Sequence, residues 1–287
     1  MSKNLTGVLC VSAALLLSAC ASAPNYPAPP KAGSIEVGEA PLAVDQLFAS
    51  TARIGETQVY LSQTKGGSLG LGLLGAVTGG LGTLAAGAVN GNLVAQKSQE
   101  MAASLSKIEG IDVQSRIKLK VAERAPELLS KAQPAYAVAG ALLLSVDTED
   151  MVRSALVINA RNTSAPDAWA KSYFYHFAPV VNVKSLEGGG HADLFQSIGR
   201  ELEHAIDATS GVLVDDLSGK LTAGTPVKVR SDFLKIFGNT VIPHQSLQIA
   251  QQGELTIFRI DGKPAMILFP HIDGIHLFQP GQFTVEK

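Results

Sequence analysis

Tyr136-Ala-Val-Ala-Gly-Ala-Leu-Leu-Leu-Ser-Val146, Val152-Arg-Ser-Ala-Leu-Val-Ile-Asn-Ala-Arg161 and Trp169-Ala-Lys-Ser-Tyr-Phe-Tyr-His-Phe177 follow one another with short polar breaks. Each run is rich in aliphatic, β-branched or aromatic residues and is bounded by turn formers, so each is predicted to be a strand. Thr148-Glu149-Asp150 makes the first turn, and Asn162 to Asp167, with Pro166, makes the second. Gly188-Gly189-Gly190 is a hinge before a helix predicted over 192–208, whose apolar positions Phe195, Ile198, Leu202 and Ile206 recur three or four apart. Further strands are expected over 226–230, 255–260 and 265–269, with Asp261-Gly262 as a hairpin turn between the last two. Strands, one helix and more strands predict an α+β domain over 135–287, an antiparallel sheet with a packed helix.

Upstream, residues 43–134 read as mostly helical. A short helix is expected over 42–51 and a short strand over 57–62, where Val59 and Leu61 share a face. An amphipathic helix through Met101, Leu105 and Ile108 ends near Gly110. The alternation Ile117-Lys118-Leu119-Lys120-Val121 predicts a strand with its lysines in solvent, and 126–131 a short helix.

Between these lies a segment without charge. The 31 positions from Gly66 to Gln96 hold ten glycines and five alanines. At a spacing of four, one row is Gly75, Gly79, Thr83, Gly87, Gly91, Ala95 and its neighbour is Gly72, Ala76, Gly80. On a helix such rows form a flat ridge that lets another backbone approach closely. Eight glycines fall between Gly70 and Gly91, so at about 1 kcal/mol each relative to Ala an isolated helix would lose about 8 kcal/mol. Close packing has to offset that loss, or the segment is not one continuous helix. Over about 30 residues the pattern resembles the glycine-zipper segments of small bacterial outer-membrane lipoproteins, although that family's longer doubled repeat is missing. The resemblance implies helix–helix association in or against a membrane through Gly75, Gly79, Thr83, Gly87 and Gly91, including a homo-oligomer or a complex with other envelope proteins. A buried helix or a loop within a soluble domain is the other reading of the same residues.

The start of the chain bears on location. Lys3 supplies a positive end, an apolar core runs from Gly7 to Leu17, and small residues precede Cys20. This is a secretory leader, since the apolar stretch is too short to span a bilayer. Leu17-Ser18-Ala19-Cys20 resembles the lipobox of bacterial lipoproteins. The resemblance implies cleavage of residues 1–19, a diacylglycerol on the Cys20 sulfur and an acyl chain such as palmitate on its new amino group. Two or more chains anchor stably where one is marginal. Residue 21 is Ala, not Asp, and resemblance to the sorting rule of Gram-negative lipoproteins then implies the outer membrane and its periplasmic face. Residues 20–42, with four prolines between Pro24 and Pro30, read as an extended tether.

Removal of the leader leaves 268 residues with 22 basic and 25 acidic side chains. That balance offers no cationic excess to neutralise phosphates and argues against nucleic acid. Cys10 departs with the leader and Cys20 is acylated, so no disulfide, thiolate metal site or cysteine nucleophile is expected.

Motifs with chemical content are few. Gly66-Gly67-Ser68-Leu69-Gly70 fits a nucleophile elbow, but too little chain precedes it to build the required sheet. Gly70-Leu71-Gly72-Leu73-Leu74-Gly75 fits a dinucleotide fingerprint, but no strand precedes it and the next acid is Glu100. His271, Asp273 and His276 are the metal candidates, with 271 and 273 sharing a strand face and 276 pointing away unless Gly274 turns the chain. A polar turn is the plainer reading. His204 and Asp207 read as a solvated helix face, His176 as a packed or hydrogen-bonded surface residue, and Asp215-Asp216 lacks a partner carboxylate. Trp169, Tyr173 and Tyr175 share one strand face, either the inner face of a sheet or a partner surface. These readings predict a non-enzymatic, lipid-anchored structural, assembly or binding module without a cofactor. The alternatives are an envelope-anchored hydrolase or metal enzyme using 271–276 and a periplasmic ligand-binding domain.

Overall fold

The computed structural model describes residues 33–38, 51–54, 57–63, 96, 98–103, 105, 111–129, 134–147, 149–164, 169–186, 191–221, 224–234, 241, 243–260 and 273–286. Cys20, the glycine row from Gly75 to Gly91, residues 42–50 of the short helix expected over 42–51, the strand expected over 265–269, Asp261-Gly262 and His271 lie outside the described residues, and Thr51, the last residue of that expected helix, opens a strand instead.

Three long antiparallel strands form the centre. They are β4 (Tyr136–Val146), β5 (Met151–Asn162) and β6 (Ala170–Asn182), and β4 pairs with β5 along its whole length from Tyr136↔Asn162 to Val146↔Val152. Upstream lie β1 (Ile35–Val37), β2 (Thr51–Arg53) and β3 (Val59–Gln63). Both β1 and β3 run parallel to β4 and share its free edge end to end, at Ile35↔Tyr136 and Val59↔Leu142. Downstream lie β7 (Thr225–Arg230), β8 (His244–Gln252), β9 (Leu255–Ile260), β10 (Gly274–Phe278) and β11 (Thr284–Glu286). Among the described residues these make one mixed, mostly antiparallel sheet ordered β11-β7-β8-β9-β10-β6-β5-β4-β3-β2. Parallel pairing of β10 with β6, at Ile275↔Tyr173, is the seam that joins its two halves.

Two helices, α1 (Val113–Arg124) and α2 (His191–Leu217), cover one face. The Asp112 side chain caps α1 by accepting from Ser115 N. Val113, Ile117 and Val121, four apart, are buried, and Leu119 is exposed. This corrects the strand expected over 117–121: residues 117 and 121 satisfy both a period of two and a spacing of four, and only tertiary packing chooses between them. Helix α1 presses on β4 at Gly140, where a Cβ would come within 2.1 Å of Ile117 Cδ1. Helix α2 runs nine residues past the expected end, to Leu217, and from Ala208 to Leu217 only Asp215 escapes full burial. Arg124 of α1 lies against Gly211, where an added Cβ would be 3.1 Å from its Nη1, and ion-pairs with Asp207 at 2.8 Å.

Other expectations are refined. The strand over 57–62 is β3, the strands over 136–146 and 255–260 have those bounds, and 126–131 begins with a 3-10 turn, Pro126–Leu128. Residues 98–103 are helical, within the amphipathic segment expected there. Strand β1 lies inside the stretch assigned to the tether, because Ser34 O accepts from Ala135 N and Tyr136 N and stitches the chain to the sheet. Strand β6 outlasts the expected Phe177 through a bulge at 177–179, since Arg153 pairs with Val180 and Ala155 with His176. Pro179, which cannot donate to the ladder, falls in that bulge. Strands β8, β10 and β11 were not expected.

Candidate functional site

Strand alternation sends Trp169, Lys171, Tyr173 and Tyr175 to the face that α2 covers. Trp169, Tyr173 and Tyr175 are at most 3 % exposed, so the inner-face reading of the aromatic row holds. Lys171 travels with them, and a charge carried onto an apolar face needs a partner. The partner is Asp216, in the last turn of α2. Its Oδ2 accepts from Lys171 Nζ at 2.8 Å and from Tyr173 Oη at 2.8 Å, and Arg259 of β9 faces Oδ1 at 3.5 Å. Lys171 Nζ also sits 5.5 Å from the centre of the Trp169 ring, which meets Tyr136 edge-on at 5.2 Å.

Burial pulls Lys171 below the ordinary lysine range, opposed by the Asp216 carboxylate and reinforced by Arg259. Burial, with Asp216 beside it, drives the Tyr173 phenol well above its ordinary value, so it stays protonated and donates. Both oxygens of Asp216 are therefore engaged by cations or a hydroxyl. Such a carboxylate holds a helix end on a sheet and gathers Lys171 and Arg259 into one aromatic-walled corner. The Trp169 indole N–H is buried and has no hydrogen-bond partner among the described residues. The corner lies beside the point where the chain enters the sheet from its N-terminal end, since Ile35 pairs with Tyr136.

A second cluster occupies the opposite face. His176 of β6 and His276 of β10 meet through Nε2 and Nδ1 at 2.9 Å, one ring donating and the other accepting. Phe174, His276, His176 and Phe278 stack nearly parallel, with neighbouring centroids 4.5, 5.2 and 4.5 Å apart. Phe233 leans on His176 at 4.7 Å. Burial, with His276 beside it, holds His176 well below the ordinary imidazole range, so this ring is neutral. His176 is thus packed as expected, but it is buried rather than at the surface.

The metal candidates separate. Asp273 lies close enough to Lys171 to favour its charged form through space, on the α2 side, whereas His276 stacks on the other face. Strand parity is the reason. Among the described residues no three His, Cys, Asp or Glu side chains converge as a metal site would require. His204 lies edge-on to Tyr175 at 6.0 Å, and Asp207 is taken by Arg124. Tyr175 Oη donates to Glu201 Oε1 at 2.7 Å, and Gln279 also donates to Glu201.

Arg259 escaped sequence reasoning, and Asp216 was weighed only for a partner carboxylate and not for a cation, because Lys171 lies 45 residues from Asp216 and Arg259 43 residues from it along the chain. The available signal was Lys171 itself, in phase with Trp169 and Tyr173. No protein-family model, no curated protein and no solved structure matches the chain.

Proposed function

We propose that this chain is a lipid-anchored protein of the bacterial cell envelope whose α+β body is a non-enzymatic binding or assembly module. Acyl chains on Cys20 hold it in the outer membrane, facing the periplasm, and the glycine-rich segment 66–96 supplies close-packing contacts. The observation that carries the reading is Leu17-Ser18-Ala19-Cys20 followed by a proline-rich stretch. The order of elements supports it: the body takes up the chain at Ser34, which leaves a leash of 14 residues that reaches about 43 Å if fully extended as polyproline II. The engaged state of Asp216 and the separation of Asp273 from His276 favour binding over bond-making chemistry at these positions.

The test is the mass of the N-terminal peptide together with membrane fractionation of wild type and Cys20→Ala. The expected result is an acylated Cys20 N-terminus in the membrane fraction and a soluble Cys20→Ala. A mature N-terminus without fatty acid, or an intact leader, overturns the reading.

A further inference from the structure

Two polar clamps bridge the seam between β6 and β10, one on each face of the sheet. The seam is short: Tyr173↔Ile275, Phe174↔His276 and Tyr175↔Leu277 are its pairs. Past them β6 bulges, and the side chains of Gln279 and Gln282 donate to His176 O at 3.3 and 3.0 Å. On the α2 side, Tyr173, Ile275 and Arg259 form one row across β6, β10 and β9. Asp216 spans that row, with Oδ2 on Tyr173 and Lys171 and Oδ1 facing Arg259. On the opposite face, His176 of β6 meets His276 of β10 at 2.9 Å, in the ring stack between Phe174 and Phe278. Geometry fixes how many protons this second clamp tolerates. The facing atoms, Nε2 and Nδ1, hold one hydrogen between them. One added proton can sit on a far ring nitrogen and leave that bond intact. Two cannot. Both facing nitrogens then carry hydrogen, and two like charges share a stack in which the imidazoles are 4 % and 0 % exposed. An N–H formed at His176 Nδ1 gains nothing, because that atom is buried with no hydrogen-bond partner among the described residues.

We propose that the His176–His276 pair is an acid-released latch on the seam, and that its opening loosens the Asp216 corner on the other face. The latch is shut at neutral pH, where burial keeps His176 uncharged. The open seam lets water reach both rings, so it binds more protons than the closed one, and acid favours it. Among the described residues, the other titratable or charged groups around the stack are engaged elsewhere. Arg153 of β5 lies 5.9 Å from the centre of the Phe233 ring and pairs with Asp147 and with Asp232 of the 3-10 turn Asp232–Leu234. His244 of β8 bonds Leu234 O at 3.0 Å. Arg259, Asp273 and Glu201 lie on the α2 side, with Asp216, Lys171 and Tyr175 respectively. Slack between β6 and β10 reaches the corner directly, because Ile275 stands between Tyr173 and Arg259, which hold opposite oxygens of Asp216. Helix α2 still joins both halves through the main core, so the opening is local.

Trp169, the single tryptophan of the chain, reports on the corner, since Lys171 Nζ lies 5.5 Å from its ring centre. Acrylamide quenching of its fluorescence and far-ultraviolet circular dichroism are followed together in the purified full-length protein from about pH 7 to about pH 4. Quenching should rise at least about threefold while the dichroism stays constant. The rise should be complete within about one pH unit, because two coupled protons halve the roughly two units that one proton needs. His176→Phe combined with His276→Phe keeps a stack of four rings and should remove the rise. His244→Gln keeps a donor for Leu234 O and should retain it. A rise that persists in the double variant assigns the acid response to Asp216 and overturns the proposal. So does a rise lost in His244→Gln, a rise with one-proton breadth, a rise that comes only with loss of dichroism, or no rise at all. If the double variant fails to fold at neutral pH, His276→Phe alone takes its place: it leaves one imidazole, and a two-proton rise that survives in it overturns the latch.

Discussion

Gly274 opens β10 at the seam with β6, and Gly274→Ala puts one methyl into that seam. The residue has φ +155°, which L side chains rarely adopt, and a Cβ there would lie 2.3 Å from the backbone oxygen of Ser172 and 3.1 Å from Phe174 Cε2. Real contacts of this kind do not fall below 3.0 Å, so one strand must move by about 0.7 Å. A backbone carbonyl paired inside a sheet cannot rotate away as a side chain does. The two halves of the sheet meet at this pairing, so the movement loosens Ile275↔Tyr173 and its neighbours. Overpacking costs about 1–3 kcal/mol and the unfavourable φ about 1–2 kcal/mol, for a loss of about 2–5 kcal/mol. Urea unfolding of the Cys20→Ala protein, followed by far-ultraviolet circular dichroism, measures it. Two alanine variants calibrate the scale. Gly253→Ala, at φ +59° with nothing within 4 Å, should lose about 1–2 kcal/mol from its backbone alone, and Gly199→Ala, on α2 with nothing within 4 Å, should gain about 0.5–1 kcal/mol. If Gly274→Ala proves no more costly than Gly253→Ala, the close approach of β10 to β6 is wrong.

The ion cluster and the paired imidazoles give two further expectations. Asp216→Asn removes the carboxylate that Lys171 and Arg259 share, in a site where the Asp216 and Lys171 side chains are 3 % and 7 % exposed, and should cost about 3–5 kcal/mol. Lys171→Met leaves Arg259 and Tyr173 on Asp216 and should cost less; the opposite ranking in urea would show that Arg259 does not hold the carboxylate. For His176 the unfolded chain binds a proton below about pH 6.5 and the folded chain resists it, so the unfolded state carries more protons and stability falls on acidification. The loss is about 1.4 kcal/mol per pH unit below the unfolded value, until the folded ring also titrates. Unfolding midpoints at about pH 7, 6 and 5 should fall in wild type and fall less in His176→Phe; equal slopes would remove His176 as the source.

The parts read well from the sequence are those whose pattern is local. Strands over 136–146 and 255–260 and the start of α2 follow from runs and spacings that one segment carries within itself. Residues 117–121 show where local pattern stops: the Asp112 cap and the spacing of Val113, Ile117 and Val121 fit a helix, the alternation fits a strand equally well, and packing of Ile117 on Gly140 of β4 decides. Strand β8 was invisible because His244-Gln-Ser-Leu-Gln-Ile-Ala-Gln-Gln252 is mostly polar and owes its conformation to β7 and β9 on either side. The candidate corner was half legible, since Trp169, Lys171 and Tyr173 share a parity that any reader can count, while Asp216 comes from a helix that extends only because tertiary contacts bury it.

By itself, then, the chain's sequence determined its charge-free glycine-rich stretch and the local preference of its strongest strands and helix, because each depends on residues within a few positions of one another. Tertiary structure alone decided that β1 and β3 share one edge of β4, that β10 runs parallel to β6, and that Lys171, Asp216 and Arg259 form one cluster with His176 and His276 on the opposite face. Those outcomes depend on which surfaces can be buried together, and burial is a property of the assembled layers, not of any segment.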